Sequence, residues 1–198
     1  MTIAIWGDSI TYGGPTEGWV GLLRKHLAEK DIEVYNRGIC GDTSSDIVKR
    51  FSIEFYAIEP DVVVFAVGAN DSKYPELQKS NKVSLAQYQK NMTELISLAR
   101  ARAKRVILVG FTNIDEAMLE KLVLAGERSS IFRVGEIKSY DDSLKILAKR
   151  EKIEFINMQG ILNPLNHLED GIHPNLQGYQ KMFEVIKKVF LYAQDEAV

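Results

Sequence analysis

This sequence is poor in the residues that build special sites or mark special compartments. It has one cysteine in 198 residues, Cys40. No disulfide forms within such a chain, and no thiolate cluster holds a metal. Its three histidines, His26, His167 and His173, are too scattered for a zinc-ligand pattern. No metal is expected. No block of basic residues appears, and the formal net charge is −2 at pH 7, which leaves no surface for tracking phosphates and excludes nucleic acid as an expected partner. No apolar run approaches the roughly 20 residues of a membrane span. The run Ile3–Trp6 starts almost at the amino terminus and is short, so it reads as a first strand rather than a signal peptide. A cytoplasmic protein is expected. No Gly-x-Gly-x-x-Gly follows that run, so a dinucleotide site is unsupported, and no cofactor is expected. Gly7-Asp8-Ser9 is not a Gly-x-Ser-x-Gly elbow, which removes the α/β-hydrolase reading. Linkers, repeats and low-complexity tracts are also missing, which predicts one domain over residues 1–198. With 45% hydrophobic and 26% charged residues, the chain suits a compact domain with a sizeable core.

What is present alternates. Short continuous apolar runs occur at Ile3–Trp6, Val62–Val67, Val106–Val109 and Ile153–Ile156, with a weaker one at Ile32–Tyr35. Strands covered on both faces read this way, because both sides need apolar contacts. Helical patterns lie between them. Trp19, Leu22, Leu23 and Leu27 share a face over about residues 17–30. Thr43-Ser44-Ser45-Asp46 and Ser84-Leu85-Ala86-Gln87 resemble capping boxes, each followed by an apolar stripe. Ile137, Tyr140, Leu144 and Leu147 mark a fourth helix; Leu176, Tyr179, Phe183, Ile186 and Phe190 mark the last. Strands alternating with helices predict right-handed crossovers and a five-stranded, doubly wound parallel sheet of order 2-1-3-4-5 in an α/β fold. Sites in such sheets lie at the carboxyl ends of the strands. Two stretches fit the alternation poorly, Ser72–Val83 and Thr112–Val134. The second predicts a short extra helix over Glu116–Leu124. Both emerge at the motif-bearing edge, where they shape a substrate pocket, act as a lid, or simply connect.

Four motifs carry chemistry. Ser9, in Gly7-Asp8-Ser9, follows the first strand; its hydroxyl is a weak nucleophile that needs an adjacent base. His173, in Asp170-Gly171-Ile172-His173-Pro174, is the candidate base. Asp170 stands three residues earlier, a spacing that lets a carboxylate fold back, hold the imidazole Nδ1–H and leave Nε2 for the serine proton. Asn70, in Gly68-Ala69-Asn70-Asp71, and Gly41, in Gly41-Asp42-Thr43, are candidate oxyanion donors. The first would act through its side-chain amide and the second through a backbone N–H, joined by the Ser9 N–H. Each also reads as ordinary structure: a helix-capping serine, an Asx-turn, a conformational glycine before a helix. Cys40 lacks a base of its own and reads as a small buried thiol. Asp8 and Asp71 read as turn hydrogen-bonders, and Trp6 and Trp19 as core. In a 2-1-3-4-5 sheet, strands 1, 2 and 3 are neighbours, so Ser9, Gly41 and Asn70 cluster. His173 must reach them from the long segment Gln159–Asn175.

Taken together, the blocks resemble those of the SGNH hydrolases, also called the GDSL esterase/lipase family, named for Ser, Gly, Asn and His in four blocks. All four are present in the family order and span nearly the whole chain. The resemblance implies a flavodoxin-like three-layer α/β/α fold and metal-independent hydrolysis of esters or thioesters. It also implies Ser9 as nucleophile, His173 as base, Asp170 as its orienter, and Ser9, Gly41 and Asn70 as the oxyanion hole. The loops carry no recognisable substrate signature. With no large cap domain, a small-molecule ester with a short or carbohydrate-borne acyl group is the expected substrate. A lysophospholipase or thioesterase acting on longer chains is the alternative, as is a non-catalytic binding module or nucleotide binder on the same fold. The sequence sets no oligomeric state.

Overall fold

The computed structural model describes residues 1–75 and 80–191. Its strands are β1 (Thr2–Gly7), β2 (Glu33–Gly38), β3 (Val62–Ala66), β4 (Tyr74–Pro75), β5 (Arg105–Val109), β6 (Ser130–Ile131) and β7 (Glu154–Ile156). Five of them form one parallel sheet in the order β2-β1-β3-β5-β7, and β4 pairs with β6 apart from it. Counting only the parallel strands, the order is the expected 2-1-3-4-5. The apolar runs locate these strands to within a few residues. The largest error is at β2, which starts one residue later and runs three residues further than Ile32–Tyr35. Edge position explains the weak signal: β2 pairs on one side only, and only Val34 in it is buried. It has no need of a continuous apolar run.

The central strands alternate between two cores, as the period of two demands. Ala4, Trp6, Val63, Phe65 and Leu108 face one cluster. It is completed by α3 (Ser44–Ile58), α5 (Leu85–Arg100) and α7 (Val134–Glu151). Ile3, Ile5, Val62, Val64 and Ile107 face the other, with α2 (Gly18–Ala28) and α9 (Leu176–Leu191). Trp6 and Trp19 are fully buried, one in each cluster. Trp6 packs edge-on against Phe51 at 4.8 Å and donates its indole N–H to Glu54 at 2.8 Å. Fully burying each large apolar side chain stabilises the fold by roughly 1.5–3 kcal/mol.

The capping signals resolve unequally. Thr43 and Asp46 form a complete box at the start of α3. Ser84 accepts from the Gln87 N–H, but the Gln87 side chain turns forward to Asn91 instead of back to Ser84. The extra helix, α6, spans Glu116–Leu124 as expected, capped by Asp115. Four of the five stripe residues of α9 are buried, whereas Leu176 is 72% exposed. It is the first residue of that helix and lines an outer groove with Tyr12 and Tyr179. No helix among the described residues is long and apolar enough to cross a membrane.

Candidate active site

In the parallel register Gly7 of β1 lies beside Gly38 of β2 and Ala66 of β3. The three chains therefore leave the sheet side by side, at its carboxyl edge. After β1, Asp8 accepts the Ile10 N–H at 3.0 Å and caps α1 (Ser9–Tyr12). Ser9 is thereby the first residue of a short helix over the sheet edge. After β2, Gly41 occupies a turn at φ +82°, a conformation that suits glycine. Its N–H meets no acceptor among the described residues. Arg50 of α3 fixes the turn by donating to the Asp42 carboxylate at 2.9 Å and the Arg37 carbonyl at 2.8 Å. After β3, Gly68 sits at φ +136°, and a Cβ there would meet the ring of Phe111 at 2.4 Å. That backbone turn launches α4 (Ala69–Ser72). Asn70 gives one amide N–H to the Asp42 carbonyl at 3.1 Å. That bond ties its side chain to the Gly41 turn and leaves the second amide hydrogen.

His173 comes from the segment between β7 and α9. The short helix α8 (Pro164–His167) and a bridge between Leu168 and Pro174 brace it. Asp170 closes the turn with Oδ1, which accepts from the Ile172 N–H at 3.2 Å and the His173 N–H at 2.9 Å. Its Oδ2 meets His173 Nδ1 at 2.8 Å, and His173 Nε2 lies 2.9 Å from Ser9 Oγ. Ser9, Gly41, Asn70 and His173 all line one cleft. Residues 164 positions apart thus come within hydrogen-bond distance.

Sequence reasoning missed one partner of this chain of contacts. A guanidinium nitrogen of Arg128 donates to Asp170 Oδ2, the oxygen that also meets His173. Burial by itself would raise the Asp170 carboxyl. The bonds from the His173 ring and backbone and the charges of His173 and Arg128 outweigh it, holding the group well below the usual carboxylate range. Arg128 lies in a stretch without periodicity, between α6 and β6, and no spacing rule points to it.

The neighbouring acids are structural in placement. Burial, opposed by the Ile10 bond, pushes Asp8 up to about 6. Asp71 is fully buried and is pushed up to about 7, by burial first and, more weakly, by the charge of Asp8. Its main hydrogen bonds lie outside its own turn. It reaches Ser44 at the start of α3, accepting the N–H at 2.9 Å and also the hydroxyl. Cys40 corrects an expectation: it is exposed and lines the cleft, because the turn after the edge strand β2 lies outside both cores. Among the described residues, no group of three His, Cys, Asp or Glu could hold a metal ion.

The two poorly fitting stretches meet each other. Tyr74 pairs with Ile131 and Pro75 with Ser130, so β4 and β6 join them in an antiparallel ladder. Residues 76–79 of the Ser72–Val83 stretch lie outside the described residues. Lys73 from the first stretch, with Arg128 and Phe132 from the second, line the cleft.

A profile of the GDSL-like lipase/acylhydrolase family matches residues 5–181. Esterase TesA from Pseudomonas aeruginosa is 33% identical over 192 residues, covering 93% of this chain and 85% of its own length. An acetylxylan esterase from Geobacillus stearothermophilus is 25% identical over 182 residues, covering 87% of this chain and 76% of its own. A crystal structure of TesA aligns with a TM-score of 0.74 at 26% identity, over 96% of this chain and 98% of that one. On the family match, which spans most of its length, this chain belongs to the GDSL-like lipase/acylhydrolase family and is a carboxylic ester hydrolase of that type.

Proposed function

We propose that residues 1–198 act as one catalytic domain that cleaves carboxylic esters through an acyl-enzyme on Ser9. Ser9 Oγ attacks the carbonyl carbon as its proton passes to His173 Nε2. Asp170 holds the Nδ1–H, fixing the tautomer and stabilising the imidazolium. The tetrahedral oxyanion takes hydrogen bonds from the Ser9 and Gly41 N–H groups and from the Asn70 amide. The C–O bond to the alcohol then breaks, and His173 returns the proton to the departing oxygen. Water attacks the acyl-enzyme by the same route, giving its proton to His173, which restores it to Ser9 Oγ as the acid leaves. The single observation that carries this reading is the contact chain Asp170–His173–Ser9, with spacings of 2.8 and 2.9 Å. The proposed substrates bear short or carbohydrate-borne acyl groups. Relatives named acetylxylan esterase and isoamyl acetate-hydrolysing esterase support that size range.

Replacement of Ser9 by Ala tests the assignment. The variant is expected to fold and to lose turnover of p-nitrophenyl acetate, and a fluorophosphonate probe is expected to label only the wild type. Full activity in Ser9→Ala overturns the nucleophile. An unlabelled wild-type Ser9 favours a binding module on this fold.

A further inference from the structure

The two stretches joined by β4 and β6 bring positive charge to a cleft whose chemistry, as read above, does not need it. Lys73 and Arg128 both line it, and the one carboxylate in that lining among the described residues, Asp8, is buried and caps a helix. Arg128 already pairs with Asp170. Lys73 forms no ion pair among the described residues; its ammonium lies 5.8 Å from the centre of the Phe132 ring. A third cation, Lys82, donates to the Gly41 carbonyl at 3.1 Å, in the turn that offers the candidate oxyanion N–H. Burial, and then the charges of Lys82 and Arg128, lower the Lys73 ammonium from its ordinary range. Lys73 and Arg128 are half-buried while Lys82 is exposed; like charges sharing a wall repel one another, and the apolar walls from Ala69, Phe132 and Ile172 weaken solvent screening of the two that line the cleft. An anion among them relieves that repulsion and gains charge-assisted hydrogen bonds.

We propose that this cleft selects esters that carry an anionic group, a carboxylate or a phosphate, close to the scissile carbonyl, and that Lys73 is the residue that recognises it. The proposal rests on the ester-hydrolase reading above and names the substrate class of the same site. Lys73 is a specificity residue here, outside the set that moves protons or holds the oxyanion.

Two matched substrate pairs test it and separate the two places the charge could sit. Monomethyl glutarate against methyl pentanoate puts the charge on the acyl side. Acetoxybenzoate, with the carboxylate para to the ester, against 4-methylphenyl acetate puts it on the alcohol side. Hydrolysis is followed by pH-stat at low ionic strength in the wild type and in Lys73→Gln. Dividing the wild-type anionic-to-neutral ratio of kcat/KM by the variant's ratio cancels intrinsic reactivity. A charge-assisted contact makes this quotient about tenfold in at least one pair, falling as salt is added. A quotient below about threefold in both pairs, far short of one such contact, overturns the proposal while leaving the ester reading intact. Calorimetric titration of Ser9→Ala with glutarate reads anion binding without turnover. Adding Lys73→Gln is expected to weaken that binding by about tenfold. Should no ester be hydrolysed while this binding and its loss persist, the ester reading falls and the anion site stands.

Discussion

Replacing Asp170 by Asn separates the proposed orienting role of this residue from its structural one. Oδ1 accepts the Ile172 and His173 backbone N–H groups, and an asparagine keeps that oxygen and the turn it closes. Oδ2 faces His173 Nδ1 and an Arg128 nitrogen. In the variant an NH2 group takes that place. It cannot accept the Nδ1–H, so the imidazole prefers the tautomer with its proton on Nε2, which then cannot receive the Ser9 proton. The same NH2 also confronts the Arg128 guanidinium, which loses its carboxylate. Loss of the tautomer and of the imidazolium partner lowers kcat by about 10⁴-fold in a triad of this kind, which corresponds to about 5.4 kcal/mol of transition-state stabilisation. The assay is the steady-state hydrolysis of p-nitrophenyl acetate beside a thermal melt. The expected result is a native-like melt with kcat reduced about 10⁴-fold and KM little changed. A folded variant whose kcat stays within about tenfold of the wild type would refute the claim that Asp170 sets the tautomer.

Two further outcomes follow from the same contacts. Asn70→Ala is expected to lower kcat by roughly 10²–10³, the usual loss for one oxyanion donor, and a drop under about threefold in the same assay removes Asn70 from that role. Asp71 is raised to about 7 in the folded chain from an ordinary 3.8, mainly by burial. The native state therefore keeps a proton that the unfolded state releases, and the stability contributed by this group declines as pH rises between those values. The melting temperature of Asp71→Asn relative to wild type should be more favourable at pH 8 than at pH 5; an equal or opposite difference contradicts the assignment.

Much of the architecture was legible because burial on two faces leaves a mark in one dimension. Strands β1, β3 and β5 lie inside the sheet, and their runs of Val, Ile and Phe announce this. Strand β2 lies at an edge with one buried side chain, and its limits were correspondingly blurred. Local hydrogen-bonding chemistry was equally readable: Thr43 with Asp46 caps α3, and Ser84 caps α5. The candidate site residues Ser9, Gly41, Asn70, Asp170 and His173 could be named because each sits at a strand end or tight turn. Exposure was harder to read. Cys40 and Leu176 are apolar by composition, yet they lie on the surface because of where their turn and helix start fall relative to the two cores.

The sequence by itself determined the order of elements, the strand-end positions of the motifs and the fold of the Asp170–His173 turn, all of which depend on neighbours a few residues apart. Only the tertiary structure decided that Ser9 and His173 meet, that Arg128 joins Asp170, that Asp71 reaches Ser44 and that Lys73 shares a wall with Phe132. These contacts join residues tens to more than a hundred positions apart. Their partners are chosen by how sheet and helices pack, a choice that leaves no periodic trace along the chain.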